Sequence, residues 1–438
     1  MKVRNAVLVD GVRSPFSRGG RGKLEATRLD EVGALLIKEL FRRNPQVKPE
    51  MIQDVGIGHG ANQQDVAGLG NITRLAGLPH EVTNFMTNRQ CGASMETAQR
   101  IAMGIMLGQY DCGISIGVER MGRTMGAGMG GGPKPTRVAN FNPRLMEPNQ
   151  LQRDMPYDHF DYFSVPIPDY ILDVKMMQSM VQTAQNVVEM YDLTREEMDA
   201  FSMRSQHKIA AAYDAGVYQA AEVLALEVED PIFDENGVWQ EDEKGPMITF
   251  DKDESVRPQT SLEGLAKLPP VRGLMSHGGK ELSITAGNSC PTNSGVSCVM
   301  VMAEDKAIEL GLTPLGRIVG WAVGGVKQSL MGIGPVIAIK KALKHADLDP
   351  EQIDRVEFNE AFAAQVIPTL KETGILEENV NVNGGSLGIG HPIGATGARL
   401  LMAVGHEIRR SGKKYGLATQ CIGAGQGIAT ILENLDAK

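Results

Sequence analysis

Pro49-Glu50-Met51-Ile52-Gln53-Asp54-Val55 returns 301 positions later as Pro350-Glu351-Gln352-Ile353-Asp354-Arg355-Val356. Each copy follows a helical segment and leads into a strand-like run. Both continue through a Gly/Ser-containing turn and a helix to a strand ending near Gly117 or Cys421. Four identities alone arise easily by chance, but the shared order of elements points to duplication. Short β-branched apolar runs alternating with helical patterns make each copy an α/β unit. Ala6–Asp10 reads as a strand, and Leu29, Val32, Leu36 and Leu40 then recur at helical spacing behind Thr27, an apt N-cap. Ala93–Leu107 reads as a helix and Gly113–Gly117 as the strand after it.

Between the copies the composition changes. Residues 124–148 are rich in Gly, Met and Pro, a loop composition. Thr194-x-x-Glu197 then forms a capping box ahead of a helix through Ala212. The expected organisation is an N-terminal core, 1–121, completed by about 283–305, an inserted loop domain, 122–282, and a C-terminal core, 306–438. Tyr157, Phe160, Tyr162, Phe163 and Tyr170 crowd one short segment of the insertion. Packing beneath a long loop explains such a cluster; an acyl-pocket lid or a partner-facing surface is the functional alternative.

The length of 438 residues exceeds one ordinary core, and 42% hydrophobic with 22% charged residues is the composition of a soluble globular chain. A net charge of -9 argues against general nucleic-acid binding. The five cysteines form no CxxC pair and the histidines do not cluster with them, which argues against structural zinc and for free thiols in a reducing compartment. No apolar run approaches the length of a membrane span, and the N-terminus enters a strand without a signal-peptide pattern, so the cytoplasm is the expected location.

Four segments carry candidate chemistry. In Asn88-Arg89-Gln90-Cys91-Gly92-Ala93-Ser94-Met95, Cys91 stands where a strand-like run gives way to a helix. A cysteine is more often a small core residue. This position adds the positive end of a helix dipole, which favours the thiolate, and Gly92 leaves room for close ligand approach. His391 lies in the glycine-dense run Asn383–Gly397, a constrained loop able to hold one imidazole; without the glycines it would read as a surface histidine. Cys421-Ile422-Gly423-Ala424-Gly425 follows the strand Gly416–Thr419 and offers amide donors beside a thiol. A dinucleotide fingerprint is the weaker reading, because the spacing is wrong and no acidic residue follows at a suitable distance. Asn359-Glu360-Ala361-Phe362 ends a strand, where Asn and Glu can position a water.

Together these segments resemble the thiolase family, as do Val9–Phe16, Gly117–Met121 and Met331–Pro335, so the likeness covers nearly the whole chain. The flavour is that of degradative 3-ketoacyl-CoA thiolases, notably the thiolase subunit of bacterial fatty-acid oxidation complexes. The resemblance implies an α/β fold with a duplicated αβαβα layered core and an inserted loop domain. It implies Cys91 as nucleophile, His391 as its base, Cys421 as the second acid/base, Asn359 as water-holder and oxyanion donor, and the Cys91 and Gly423 amides as a second oxyanion hole. Arg257, Met180, Cys290 and Phe362 match positions around CoA and the acyl tunnel. No metal or redox cofactor is implied, CoA being a substrate. A homodimer or homotetramer is implied, with a hydratase/dehydrogenase subunit as a further partner.

Cys290 departs from the Ser that the family often carries against the pantetheine arm, and a thiol bonds more weakly. Gly264 and Ser179 replace a Ser and a His of some members, and Val271–Leu282 runs long. These changes surround the ligand and bear on substrate rather than chemistry. Cys112 and Cys298 read as core residues. The alternatives are biosynthetic acetoacetyl-CoA formation, a decarboxylating ketosynthase, an NAD-dependent oxidoreductase and a non-catalytic scaffold.

Overall fold

The computed structural model describes residues 3–60, 69–121, 179–276 and 278–437. The aromatic segment 157–170 and the Gly/Met/Pro-rich run 124–148 lie outside these residues. The N-terminal half contributes strands β1 (Ala6–Arg13), β2 (Ser17–Arg18), β3 (Asp54–Gly58), β4 (Thr83–Thr87) and β5 (Cys112–Glu119). The central part supplies β6 (Leu226–Glu229), β7 (Met247–Phe250) and β8 (Asn293–Ala303). The C-terminal half supplies β9 (Gly316–Gly325), β10 (Arg355–Phe358), β11 (Tyr415–Ile422) and β12 (Gln426–Glu433).

The repeat read from sequence is a repeat of topology. In the N-terminal half the order is β4-β3-β5-β8-β1, and in the C-terminal half β10-β11-β12-β9. A parallel bridge from Val380 to Val356 stands where β4 stands in the first half. The directions match as well. β3 is parallel to β4 and β5, then β8 and β1 alternate antiparallel. β10 is parallel to β11, then β12 and β9 alternate. The halves join where Val7 and Leu8 pair with Arg317 and Gly316.

Side-chain alternation along the strands sorts the core into layers. On β8, Val296, Cys298, Met300 and Met302 face outward to helix Leu29–Arg43, while Val299, Val301 and Ala303 face inward. The inward residues meet Met95, Ala98 and Ile101 from helix Ala93–Met106 and Leu401, Met402 and Val404 from helix Thr396–Arg410. On the far side, Val356, Phe358, Leu417 and Ile431 pack outward on helices Gly334–Ala346 and Ala363–Thr373. Helix, sheet, helix, sheet, helix is the result. Cys112 and Cys298 are buried in the first outer layer, as read from sequence.

Local readings fared differently. The Thr194/Glu197 capping box is present and opens helix Arg195–Asp214. Thr27 is not a cap: Arg28 is the N-cap residue of the first helix, with no side-chain cap bond, and Asp30 inside the first turn accepts the Glu31 N–H instead. β11 runs three residues past Thr419, because Gln420, Cys421 and Ile422 still pair with β12.

Arg13, at the end of β1, ties the core to the 179–276 segment. It is fully buried and donates to Glu222 at 2.9 Å and to both Asp253 oxygens at 2.7 and 2.9 Å. Removing one partner of such a cluster leaves carboxylates buried without compensation. Arg13→Met is expected to cost about 3–5 kcal/mol by denaturant midpoint. Arg42→Ala removes an exposed guanidinium from a buried Glu39 that Arg43 still pairs at 2.8 Å, and is expected to leave the midpoint in place.

Candidate active site

Each half delivers one side of the site. β4 runs into the turn Gln90–Gly92, which presents Cys91 immediately before helix Ala93–Met106. Gln90 takes φ 45°, a left-handed conformation that costs a non-glycine residue about 1 kcal/mol or more. The Asn88 side chain accepts its N–H at 3.0 Å. Gly92 does not face a ligand: a Cβ there would lie 2.6 Å from Ile422 Cδ1, so this glycine seats the turn on β11. The N–H groups of Gly423 and of Cys91 itself are directed at the Cys91 thiol.

The helix start does not yield a resting thiolate. Burial pushes the Cys91 thiol up to about 11; the Gly423 amide works against that shift and the Glu119 charge adds to it. Dipole stabilisation at a helix terminus amounts to about 0.3–1 kcal/mol, and desolvation outweighs it here.

His391 comes from the other half, in the loop ahead of helix Thr396–Arg410. Its ring belongs to a directed chain. The Thr396 hydroxyl donates its proton to the Pro392 carbonyl at 3.0 Å, so it accepts from His391 Nδ1–H at 2.6 Å. Nε2 therefore carries the lone pair, and the Asn359 amide donates to it at 3.4 Å. The Ser386 hydroxyl donates to Asn359 Oδ1 at 2.6 Å and fixes that amide's orientation. The imidazole is buried, and burial lowers its pKa to about 4. It is neutral at physiological pH.

Asn359 and Glu360, adjacent at the end of β10, have separate tasks. Glu360 accepts from Ser205 at 2.7 Å, Asn381 at 2.6 Å and the Leu387 N–H at 3.1 Å, so it braces the loop that carries Ser386. Only Asn359 reaches the imidazole. The expectation that both position a water does not hold for Glu360.

Cys421 sits on β11, not in the glycine turn after it, and is buried. Burial raises its thiol, charge on Cys91 or Cys290 raises it further, and the Gln365 side chain hydrogen-bonds it. Cys290 is likewise pushed up to about 12, by burial first and then by Cys91. The three thiols thus share one electrostatic neighbourhood. Cys290 donates its N–H to Ala361 at 2.8 Å, beside the bridge from Ser289 to Phe362, which brings Cys290 and Phe362 together.

Arg257 and Gly264 line a cavity of about 480 Å³ with Gln206, Thr260, Gly287 and Leu387. Leu387 adjoins Ser386, so the cavity borders the chain that orients Asn359. Met180 lies apart, half-exposed at the start of helix Met180–Tyr191. Sequence reading passed over Thr396 and Ser386, although both stand inside the Asn383–Gly397 run, and Gln365, three residues past Phe362. A hydroxyl five residues after His391, at the head of a largely apolar helix, was the available signal.

The glycine-rich turn after β11 leads into β12 as an antiparallel hairpin, not into a helix, which removes the dinucleotide-fold reading. A partly buried thiol under two amides, on a turn packed against the 393–395 turn of the loop that carries a neutral imidazole, defines a site for cysteine-based acyl chemistry. The family model "Thiolase, N-terminal domain" matches residues 6–305 and "Thiolase, C-terminal domain" matches residues 312–434. The chain belongs to the thiolase family. It is 35% identical to a 3-ketoacyl-CoA thiolase of Aliivibrio fischeri over 98% of this chain and 100% of that protein. It is 36% identical to the 3-oxoadipyl-CoA/3-oxo-5,6-dehydrosuberyl-CoA thiolase of Escherichia coli, over 99% of this chain and all of that one. Among solved structures it resembles the Bacillus anthracis acetyl-CoA acetyltransferase, with TM-score 0.79 and 33% identity, over 99% of this chain and 100% of that chain.

Two outcomes follow from the geometry. Alkylation of Cys91 by iodoacetamide in the free protein is expected to rise with pH towards a midpoint near 11, read by mass analysis of the Cys91 peptide; a midpoint below 8 contradicts the burial effect. Thr396→Val removes the acceptor that sets the His391 tautomer and is expected to lower kcat by about 10²-fold, the order of loss that follows from misplacing a catalytic group.

Proposed function

We propose that this chain is a 3-ketoacyl-CoA thiolase, an acetyl-CoA acyltransferase that uses CoA to cleave a 3-ketoacyl-CoA into acetyl-CoA and a shortened acyl-CoA. The observation that carries this reading is the grouping of two thiols held towards their neutral form, the partly buried Cys91 and the buried Cys421, with one neutral imidazole whose lone pair is assigned.

His391 Nε2 takes the Cys91 proton as the sulfur attacks the 3-keto carbon. Negative charge moves to the former keto oxygen, met by protonated His391 and by Asn359 through a held water. The oxyanion re-forms its carbonyl as the C2–C3 bond breaks, and Cys421 protonates the departing acetyl-CoA carbanion. The acyl group stays on Cys91 as a thioester. Incoming CoA gives its thiol proton to the Cys421 thiolate and attacks that thioester. The amides of Cys91 and Gly423 receive the second oxyanion. They already aim at the sulfur that will hold the carbonyl, so little reorganisation is needed. Collapse releases the Cys91 thiolate, and His391 returns the proton.

The starting pair is therefore a neutral thiol and a neutral base. A thiolate forms only as the substrate carbonyl and the amides take up its charge. We place the CoA nucleotide near Arg257 and the pantetheine and acyl path along Met180, Cys290 and Phe362, with CoA as a substrate and no metal or redox cofactor. Five free cysteines support a reducing compartment such as the cytoplasm. Among the described residues no helix is long and apolar enough to cross a membrane. Self-association as a homodimer is placed at β4, which ends the sheet with Thr83, Asn84 and Met86 exposed.

Biosynthetic condensation of two acetyl-CoA molecules uses the same groups in reverse, and the likeness to the acetyl-CoA acetyltransferase keeps it as the second reading. Incubation with acetoacetyl-CoA and with longer 3-ketoacyl-CoAs, without free CoA, is expected to leave the shortened acyl mass on Cys91 and to release it on adding CoA. Cys91→Ser is expected to lower kcat by at least about 10⁴-fold, the scale of losing a unit of a nucleophile–base system. No adduct with any substrate contradicts the proposal, and strict preference for acetoacetyl-CoA favours the biosynthetic reading.

A further inference from the structure

Glu119 ends β5 and is almost completely buried. Its Oε2 accepts two backbone N–H groups from distant parts of the chain: Gly60, just past β3, at 2.7 Å, and Gly394, three residues after His391, at 2.8 Å. The two loops meet backbone to backbone. A Cβ on Gly394 would lie 2.5 Å from His59 Cα, and one on Gly60 would lie 3.1 Å from the Gln90 carbonyl carbon, next to Cys91. Gly394 stacks on the His59–Gly60 backbone, and the Ile393 side chain beside it covers Gly60, where a Cβ would lie 2.2 Å from Ile393 Cγ2. One carboxylate oxygen holds both loops by charge-assisted bonds.

We propose that Glu119 is a positioning residue for thiolysis: by clamping the Gly60 and Gly394 amides with one oxygen, it sets the spacing between the Cys91 turn and the His391 loop. This rests on the roles given above to Cys91 and His391. Glu119 acts through the two loops. Its second effect is electrostatic. Among the described residues, the titratable groups that interact with Cys91 include Glu119 from β5, Cys421 from β11 and Cys290 after the 283–289 segment. Of these Glu119 contributes a standing negative charge, which opposes a resting thiolate.

Glu119→Gln keeps an acceptor oxygen for both amides and removes the charge, whereas Glu119→Ala removes both. The measurements are kcat and KM for acetoacetyl-CoA with CoA, and the pH profile of Cys91 alkylation by iodoacetamide. E119A is expected to lose about 10²-fold in kcat with little change in KM, the order of loss from a displaced catalytic group, and E119Q to recover about tenfold of it. The E119Q alkylation profile is expected to move to lower pH. Wild-type kcat in E119A overturns the proposal, and so does an E119Q that is as impaired as E119A with an unmoved profile. If E119A does not fold, the kcat and KM of E119Q decide: a kcat lowered at unchanged KM supports the clamp, and wild-type kcat overturns it. Failure of the wild-type protein to acylate Cys91 is a different result and strikes the functional reading itself.

Discussion

The Ala398 N–H donates to Ser94 Oγ at 2.8 Å, and this bond joins the N-terminal turns of the two central helices. Beside it, a Cβ on Gly397 would lie 3.0 Å from Met95 Cα, so the two turns touch without side chains between them. Cys91 stands three residues before Ser94, and His391 seven before Ala398. Neither half holds a complete site. Cys91, the proposed nucleophile, its own amide and Glu119 come from the first half; His391, Asn359, Cys421 and Gly423 come from the second. Duplication has here become division of labour: equivalent strand orders end in different residues, and the contact of the helix starts brings those residues together.

Burial gives the site its electrostatic character. Desolvation is the leading cause of the shifts at the thiols and the imidazole alike, and it favours the neutral form of each. The same desolvation strengthens the hydrogen bonds that remain, and they form a polarised chain from Ser386 through Asn359 and His391 to Thr396 and Pro392. In the proposed reaction the raised Cys91 thiol and the lowered His391 imidazole oppose proton transfer until an acyl carbonyl carries the charge to the amide donors.

Much of the architecture was legible because it is written locally and twice. The Pro-Glu-x-Ile repeat marks the entry to β3 and β10, and the capping box at Thr194 names a helix start from four residues. Cys91, His391 and Cys421 stood out by their glycine-containing settings, and the roles expected of them came from the resemblance to thiolases. What escaped was non-local. The reading of Cys91 as a thiolate weighed a local dipole and could not weigh burial, which other segments impose. Glu119 lies 275 positions from Gly394 in sequence, and nothing in its own neighbourhood names that partner. Gly92 looked like room for ligand because Ile422 and Ile428 are far away in the chain. Thr27 looked like a cap because it precedes apolar spacing, yet the helix begins one residue later than that cap requires.

The proposed chemistry requires a neutral His391 protonated at Nδ1, with its lone pair on Nε2. Nitrogen NMR of the protein with ¹⁵N-labelled histidine, assigned with His391→Asn, reports that state directly. The expected result is a neutral Nδ1–H imidazole throughout the neutral range, converting to imidazolium only as pH falls towards about 4. An imidazolium at pH 7, or a neutral ring protonated at Nε2, would contradict it.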